Sequence, residues 1–122
     1  MTTNQQDSES GQTESVMHSG RTGMAIKHPL TWQNCAELRK KLETKIKEGR
    51  NEIILDFKKV DHLDSAALEM LIDVHDVLMK QGGILKIAGI NEVCRDILIS
   101  TRLINILLVY KDMNEATAHK RV

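Results

Sequence analysis

Apolar and polar positions change rhythm several times along the chain, and each change marks an element. Glu14-Ser-Val-Met-His18 and Met24-Ala-Ile-Lys-His28 are short, partly apolar stretches on either side of Ser19-Gly-Arg-Thr-Gly23. Two glycines in such a spacer predict a hairpin. Pro29, the sole proline, ends the second strand because it cannot donate to a ladder. From Trp32 to Glu48 the residues Cys35, Leu38, Leu42 and Ile46 recur at helical spacing, with Thr31 or Asn34 placed to cap and Gly49 to terminate. Asn51 to Phe57 holds the run Ile53-Ile-Leu55, which predicts a strand covered on both faces. Ala66 to Gln81 is helical again. Its apolar stripe is Leu68, Leu71, Ile72, His75, Leu78 and Met79, with Met70 and Met79 as core filler, and Gly82-Gly83 follows. Ile84 to Gly89 predicts another covered strand, and Asn91 caps a helix carrying Val93, Cys94, Ile97 and Leu98. Ile106 to Tyr110 predicts a last strand, and Asp112-Met-Asn-Glu115 has the spacing of a capping box opening a short helix.

The resulting order is β-β-α-β-α-β-α-β-α, an α/β domain. Strands alternating with helices give right-handed crossovers and parallel neighbours, while the hairpin adds one antiparallel pair, so the small sheet is mixed. Residues 1–13 carry almost nothing to bury and are expected to form a disordered tail, leaving 14–122 as one domain.

Charge and composition then narrow the function. Lys plus Arg and Asp plus Glu each number 17, so the formal net charge is zero and no global field attracts nucleic acid or anionic lipid. Trp32, Phe57 and Tyr110 are the only aromatics, too few for a base-stacking platform. On the predicted helix from 32 to 48, basic residues alternate with Glu37, Glu43 and Glu48, as on a solvated face. Cys35 and Cys94 form no CxxC and no metal-ligand spacing, which suits two reduced thiols. No apolar run approaches the roughly 18 residues of a membrane helix, and no apolar segment near Met1 signals secretion. A cytoplasmic protein without cofactor, metal or membrane insertion is expected.

The conspicuous segment is Val60-Asp-His-Leu-Asp-Ser-Ala-Ala-Leu68, which joins a covered strand to a helix. Ser65 falls at or near the N-cap, where free amides and the helix dipole favour negative charge. A phosphate on its hydroxyl would meet several donors. The plainer reading is a capping serine, and Asp64 could equally be the cap. A triad of Ser65, His62 and an aspartate has no Gly-x-Ser-x-Gly elbow behind it, and nothing else gathers a nucleophile, a base and oxyanion donors, so no enzyme is indicated. His28, His62 and His75 lack zinc spacing, and no phosphate-loop motif occurs.

Glu52-Ile-Ile-Leu-Asp-Phe-Lys-Lys-Val-Asp-His-Leu-Asp-Ser-Ala-Ala-Leu68 resembles the central motif of STAS domains, the family of bacterial anti-sigma-factor antagonists. That motif is a strand ending in Leu-Asp-Leu/Phe, a short loop, and Asp-Ser-(Ser/Ala)-(Gly/Ala)-Leu opening a helix. Gln81 to Gly89 resembles the family's next strand, and Asn91 to Leu107 its third helix. The resemblance implies a switch: the unmodified domain binds an anti-sigma factor that is also a serine kinase, phosphorylation of the matching Ser65 breaks the complex, and a serine phosphatase restores it. A bacterial transcription regulator acting as a monomer or weak dimer is implied.

The chain departs from the family in two places. His28-Pro-Leu-Thr31 stands where Gly-x-Leu-Asp is common, and Ala66-Ala67 replaces Ser-Gly. The expected partner surface comprises the Lys59–Asp64 loop, with Asp61, His62 and Asp64, then Ser65 and Ala66, and the Leu30–Trp32 loop, with Thr31 and with Trp32 as an exposed anchor or packed on its own helix. The alternative function is a scaffold or accessory subunit of a stressosome-like or lipid- or anion-transport complex.

Overall fold

A computed structural model describes the backbone of residues 13–18 and all of residues 21–118. Five strands form one sheet in the order β1-β2-β3-β4-β5. They are β1 (Thr13–His18), β2 (Arg21–Ile26), β3 (Glu52–Asp56), β4 (Ile84–Ala88) and β5 (Leu108–Tyr110). β1 runs antiparallel to β2, and β2 through β5 are mutually parallel. The helices are α1 (Cys35–Lys47), α2 (Ser65–Lys80), α3 (Glu92–Ser100) and α4 (Met113–Ala118). The predicted order and the mixed α/β sheet both hold. Most of the expected tail, residues 1–12, and the Ser19-Gly20 part of the turn lie outside the described residues.

The alternation of the strands separates two unequal cores. Met24, Ile26, Ile53, Leu55, Leu85 and Ile87 face one way and pack under Leu38, Leu42 and Ile46 of α1, under α2, and under Cys94 and Leu98 of α3. On the opposite face, Ile54 and Ala88 meet Ala116, Tyr110 and Met113 in a small cluster covered by α4. A strand with cover on both faces can be apolar throughout, which is why Ile53-Ile54-Leu55 is continuous rather than alternating.

Several elements begin or end elsewhere than the pattern predicts. Arg21, Thr22 and Gly23 belong to β2 and not to the turn. Their polar groups hid the strand: Thr22 is buried, and Arg21 pairs across the ladder with Glu52 (Nε–Oε2 3.2 Å). α1 starts at Cys35 rather than Trp32 because Thr31 to Asn34 form a separate turn, with the Asn34 and Cys35 amides both donating to the Thr31 carbonyl (3.0 and 2.8 Å). Asn34 occupies the cap position, but its side chain turns backward. Oδ1 accepts from the Thr31 amide (2.9 Å) and Nδ2 donates to the Pro29 carbonyl (2.9 Å). Gly49 ends the helix at φ +85°, as expected of a left-handed terminator.

The last strand is shorter than Ile106–Tyr110. After α3, Arg102 takes a left-handed conformation (φ 66°) and Leu103–Asn105 form a 3₁₀ turn. The amides of Ile106 and Leu107 both donate to the Leu103 carbonyl (2.9 Å each), so neither is free for the ladder. α2 is rotated relative to the expected stripe. Ala67, Leu68, Met70, Leu71, Val74 and Leu78 are buried, Ile72 and His75 are half-buried, and Met79 is exposed rather than core filler. Both the sheet and α1 draw on this helix, so the buried face follows 67, 70, 71, 74 and 78 instead of ending at 79.

Candidate functional site

The loop from Phe57 to Asp64 delivers the site, and three buried plugs fix its path: Phe57, Val60 and Leu63. Between them Lys58, Lys59, Asp61 and His62 are exposed. Two neighbouring segments pin the loop through its backbone. On one side Asn91 caps α3 with Oδ1 (accepting from the Cys94 amide, 2.8 Å), while its Nδ2 donates to the carbonyls of Val60 (3.3 Å) and Asp61 (3.1 Å). The buried Cys94 thiol also donates to the Val60 carbonyl (3.6 Å). Burial pushes this thiol up, helped by the charge of Asp61, so it is protonated and unreactive at neutral pH. Both cysteines are free thiols.

On the other side Leu30 bridges Leu63 in parallel. The Leu30 amide donates to the His62 carbonyl (3.1 Å), and the Asp64 amide donates to the Leu30 carbonyl (3.3 Å). Leu30 is fully buried and is not part of an exposed partner surface. Thr31 is half-buried, and its Oγ1 accepts from the Gln33 amide (3.3 Å).

At the tip of α2 the cap is Asp64, not Ser65. Its Oδ1 accepts from the Ala67 amide (3.0 Å) and its Oδ2 from the Trp32 amide (2.8 Å). One carboxylate therefore ties the 28–34 segment to the start of a helix 32 residues further on. Partial burial pushes the Asp64 carboxyl up, but the amides of Ala67, Trp32 and Ala66 outweigh this and hold it below the usual carboxylate range. Ser65 is the first residue of α2 and is exposed. With Asp64 as cap, the Ser65 hydroxyl is not needed to close the helix.

Trp32 is 70% exposed, so it does not pack on its own helix. Ala66 is half-buried and Ala67 fully buried. The methyl of Ala67, which replaces a glycine common in the family, thus points into the core. Beside Ser65 an open groove runs between α2 and the end of α3, with Leu68, Ile72 and Leu103 as its apolar lining and Glu69 at its rim. The Leu30–Leu63 bridge and the Asp64 carboxylate bring Thr31 and Trp32 beside Asp64 and Ser65 at this tip, while Asp61 and His62 stand exposed on the loop that leads into it.

Two structural roles escaped sequence reasoning. Asn91 was legible as a cap, but its grip on the Val60–Asp61 carbonyls was not. Lys86, inside a strand with five buried positions, is almost fully buried. Its Nζ lies 2.9 Å from Glu52 Oε2, donates to the Ala116 carbonyl (2.7 Å) and sits 5.2 Å from the centre of the Tyr110 ring. Desolvation, then the charges of Glu52 and Glu115, push the Tyr110 hydroxyl up.

The STAS domain family model matches residues 14–116, and the chain belongs to that family. No curated protein sequence matches it. Among solved structures it is similar to a candidate anti-sigma factor antagonist from Thermotoga maritima (TM-score 0.83, 20% identity, covering 87% of this chain and 92% of that one). It is also similar to the Bacillus cell fate determinant SpoIIAA in its phosphorylated form (TM-score 0.69, 17% identity, 87% and 96% covered). A sulfate transporter family protein from Wolinella succinogenes shares the fold as well (TM-score 0.75, 23% identity, 84% and 86% covered). At these identities the likeness is one of fold. Among the described residues, no helix is long and apolar enough to cross a membrane.

Proposed function

We propose that this chain is a bacterial, cytoplasmic anti-sigma-factor antagonist that binds an anti-sigma factor with serine-kinase activity while Ser65 is unmodified. Phosphorylation of Ser65 releases that partner, and a serine phosphatase restores binding. The observation that carries the reading is the exposed Ser65 hydroxyl at the first position of a helix already capped by Asp64. A kinase can reach such a hydroxyl without unfolding anything, and its loss from the cap does not threaten the helix. The Ser65 tip, the Leu68–Ile72–Leu103 groove and the exposed Trp32 make up the docking face. A charge near −2 placed there meets Asp61, Asp64 and Glu69 and would have to be desolvated on docking. The chain itself is assigned no catalysis.

Mass spectrometry after incubation with the anti-sigma kinase and ATP tests the reading. One phosphate on Ser65, absent from Ser65→Ala, is expected. Phosphate elsewhere, or none, would refute it.

A second reading, an accessory subunit of a transport or stressosome-like complex, is favoured by one observation. The 28–31 loop presents the half-buried Thr31, its hydroxyl used within its own turn, where the family often offers a carboxylate to a kinase. Recovery of a transport ATPase instead of a kinase on co-purification supports this alternative.

A further inference from the structure

Asp64 occupies a position where two segments depend on one side chain. Its two oxygens are divided: Oδ1 holds the third amide of α2, and Oδ2 holds the amide of Trp32. Trp32 lies in the turn closed by the Asn34 and Cys35 amides on the Thr31 carbonyl and by Asn34 Oδ1 on the Thr31 amide, but its own amide is held by Asp64 Oδ2, and its side chain is 70% exposed. The neighbouring tie is buried and made by backbone atoms, the Leu30 amide on the His62 carbonyl and the Asp64 amide on the Leu30 carbonyl, so it does not use the Asp64 carboxylate. Within the segment Asn34 ties Thr31 and Pro29, and across to the β3–α2 loop it is joined at two places, through Leu30 by backbone alone and through the Trp32 amide by a carboxylate that sits next to Ser65 in sequence.

We infer that a phosphate on Ser65 competes with the Asp64 carboxylate for the tip of α2 and thereby releases the Trp32 amide, making Asp64 the positioning residue that turns a covalent change into a loosened hydrophobic anchor. The inference rests on the proposed phosphorylation of Ser65 and adds how that site is read. A dianion attached at the first helical position seeks the amides of Ser65, Ala66 and Ala67. The Ala67 amide is already taken by Asp64. The same dianion repels the carboxylate, which like any ordinary aspartate is ionised at neutral pH and which its amide partners hold further in that form. When that carboxylate swings away, Oδ2 leaves the Trp32 amide. Leu30 remains bound, because its amide donates to the His62 carbonyl and does not depend on the Asp64 carboxylate. Phosphorylation then alters the docking face at two points, adding charge at Ser65 and loosening the one tryptophan in the chain.

The test uses the full chain with phosphoserine installed at position 65 during translation, so that it needs no kinase. Amide hydrogen exchange is followed by NMR at Trp32 and Leu30, alongside Trp32 fluorescence. In the phosphorylated chain, exchange at Trp32 is expected to rise about tenfold or more while Leu30 is unchanged. Asp64→Asn is expected to raise Trp32 exchange without any phosphate, and phosphoserine is expected to add little to it in that background. Ser65→Ala is expected to leave Trp32 as in the parent chain. Unchanged Trp32 exchange on phosphorylation would overturn the inference. So would a rise shared equally by Leu30, because that is general loosening and not selective release. Binding of the anti-sigma kinase to the same two samples separates the two proposals. Release of the kinase with Trp32 still protected sinks the coupling and keeps the functional reading, whereas equal binding sinks the functional reading whatever Trp32 does.

Discussion

A single carboxylate can be indispensable to a surface without taking part in any chemistry, and Asp64 is such a group. It caps α2 and restrains the Trp32 turn at once. Replacing it with alanine is expected to cost about 1–2 kcal/mol in urea denaturation, the upper part of the usual N-cap range. Its folded pKa lies below its ordinary value, so its contribution is complete above the ordinary carboxylate range and is lost as pH falls through the folded pKa. Acid titration of stability below about pH 4 should therefore be shallower in Asp64→Asn than in the parent chain. Equal slopes would show that the two amide bonds do not favour the ionised form. Lys86 is the other residue whose setting departs from expectation for its type. Lys86→Met removes the buried charge while keeping the stem, and leaves Glu52 with Arg21 and the Ala116 carbonyl without its donor. We expect a loss of about 3 kcal/mol in chemical denaturation. A neutral result would mean that hydrophobic replacement compensates fully.

At the level of elements, the order of strands and helices along the chain could be read from sequence, α1, α2 and the covered strands from hydrophobic patterning, α3 from an asparagine cap with apolar spacing and the last helix from a capping box. The failures have local causes. β2 hid behind Arg21 and Thr22, whose partners lie on another strand and leave no trace in local sequence. β5 lost Ile106 and Leu107 to a 3₁₀ turn begun by a non-glycine residue at positive φ, which sequence gives no reason to expect at Arg102. The apolar stripe of α2 runs on to Met79 in the sequence, but the sheet and α1 both claim the helix and Met79 lies outside their reach. The junction of α2 and β4 was marked by Gly82-Gly83, and the two glycines serve different ends. Gly82 takes φ +80° at the helix end, whereas a Cβ on Gly83 would stand 2.6 Å from the Asn51 carbonyl oxygen. Gly83→Ala should therefore destabilise by about 2 kcal/mol or more through backbone displacement, visible as a lowered melting temperature. Leu71→Ala, in the centre of the large core, is expected to cost about 2–5 kcal/mol.

On the scale of the whole molecule, among the described residues one face of the sheet carries three helices and most of the core, while the other has α4 and a small cluster. The loop between β3 and α2, pinned through Asn91 and Leu30, presents Ser65 at an edge of the larger layer. The serine, its acidic neighbours and Trp32 were legible as a constellation because the motif places most of them within a few residues. Joining Trp32 to that motif required the Leu30–Leu63 bridge, a contact between distant segments that no local pattern encodes. We propose that this edge is a docking face switched by charge. Isothermal titration of the anti-sigma kinase against the chain with unmodified and with phosphorylated Ser65 tests it most directly. The account predicts binding to the unmodified chain and a loss of about a hundredfold or more, close to 3 kcal/mol, on phosphorylation. Equal affinities for the two forms would contradict it.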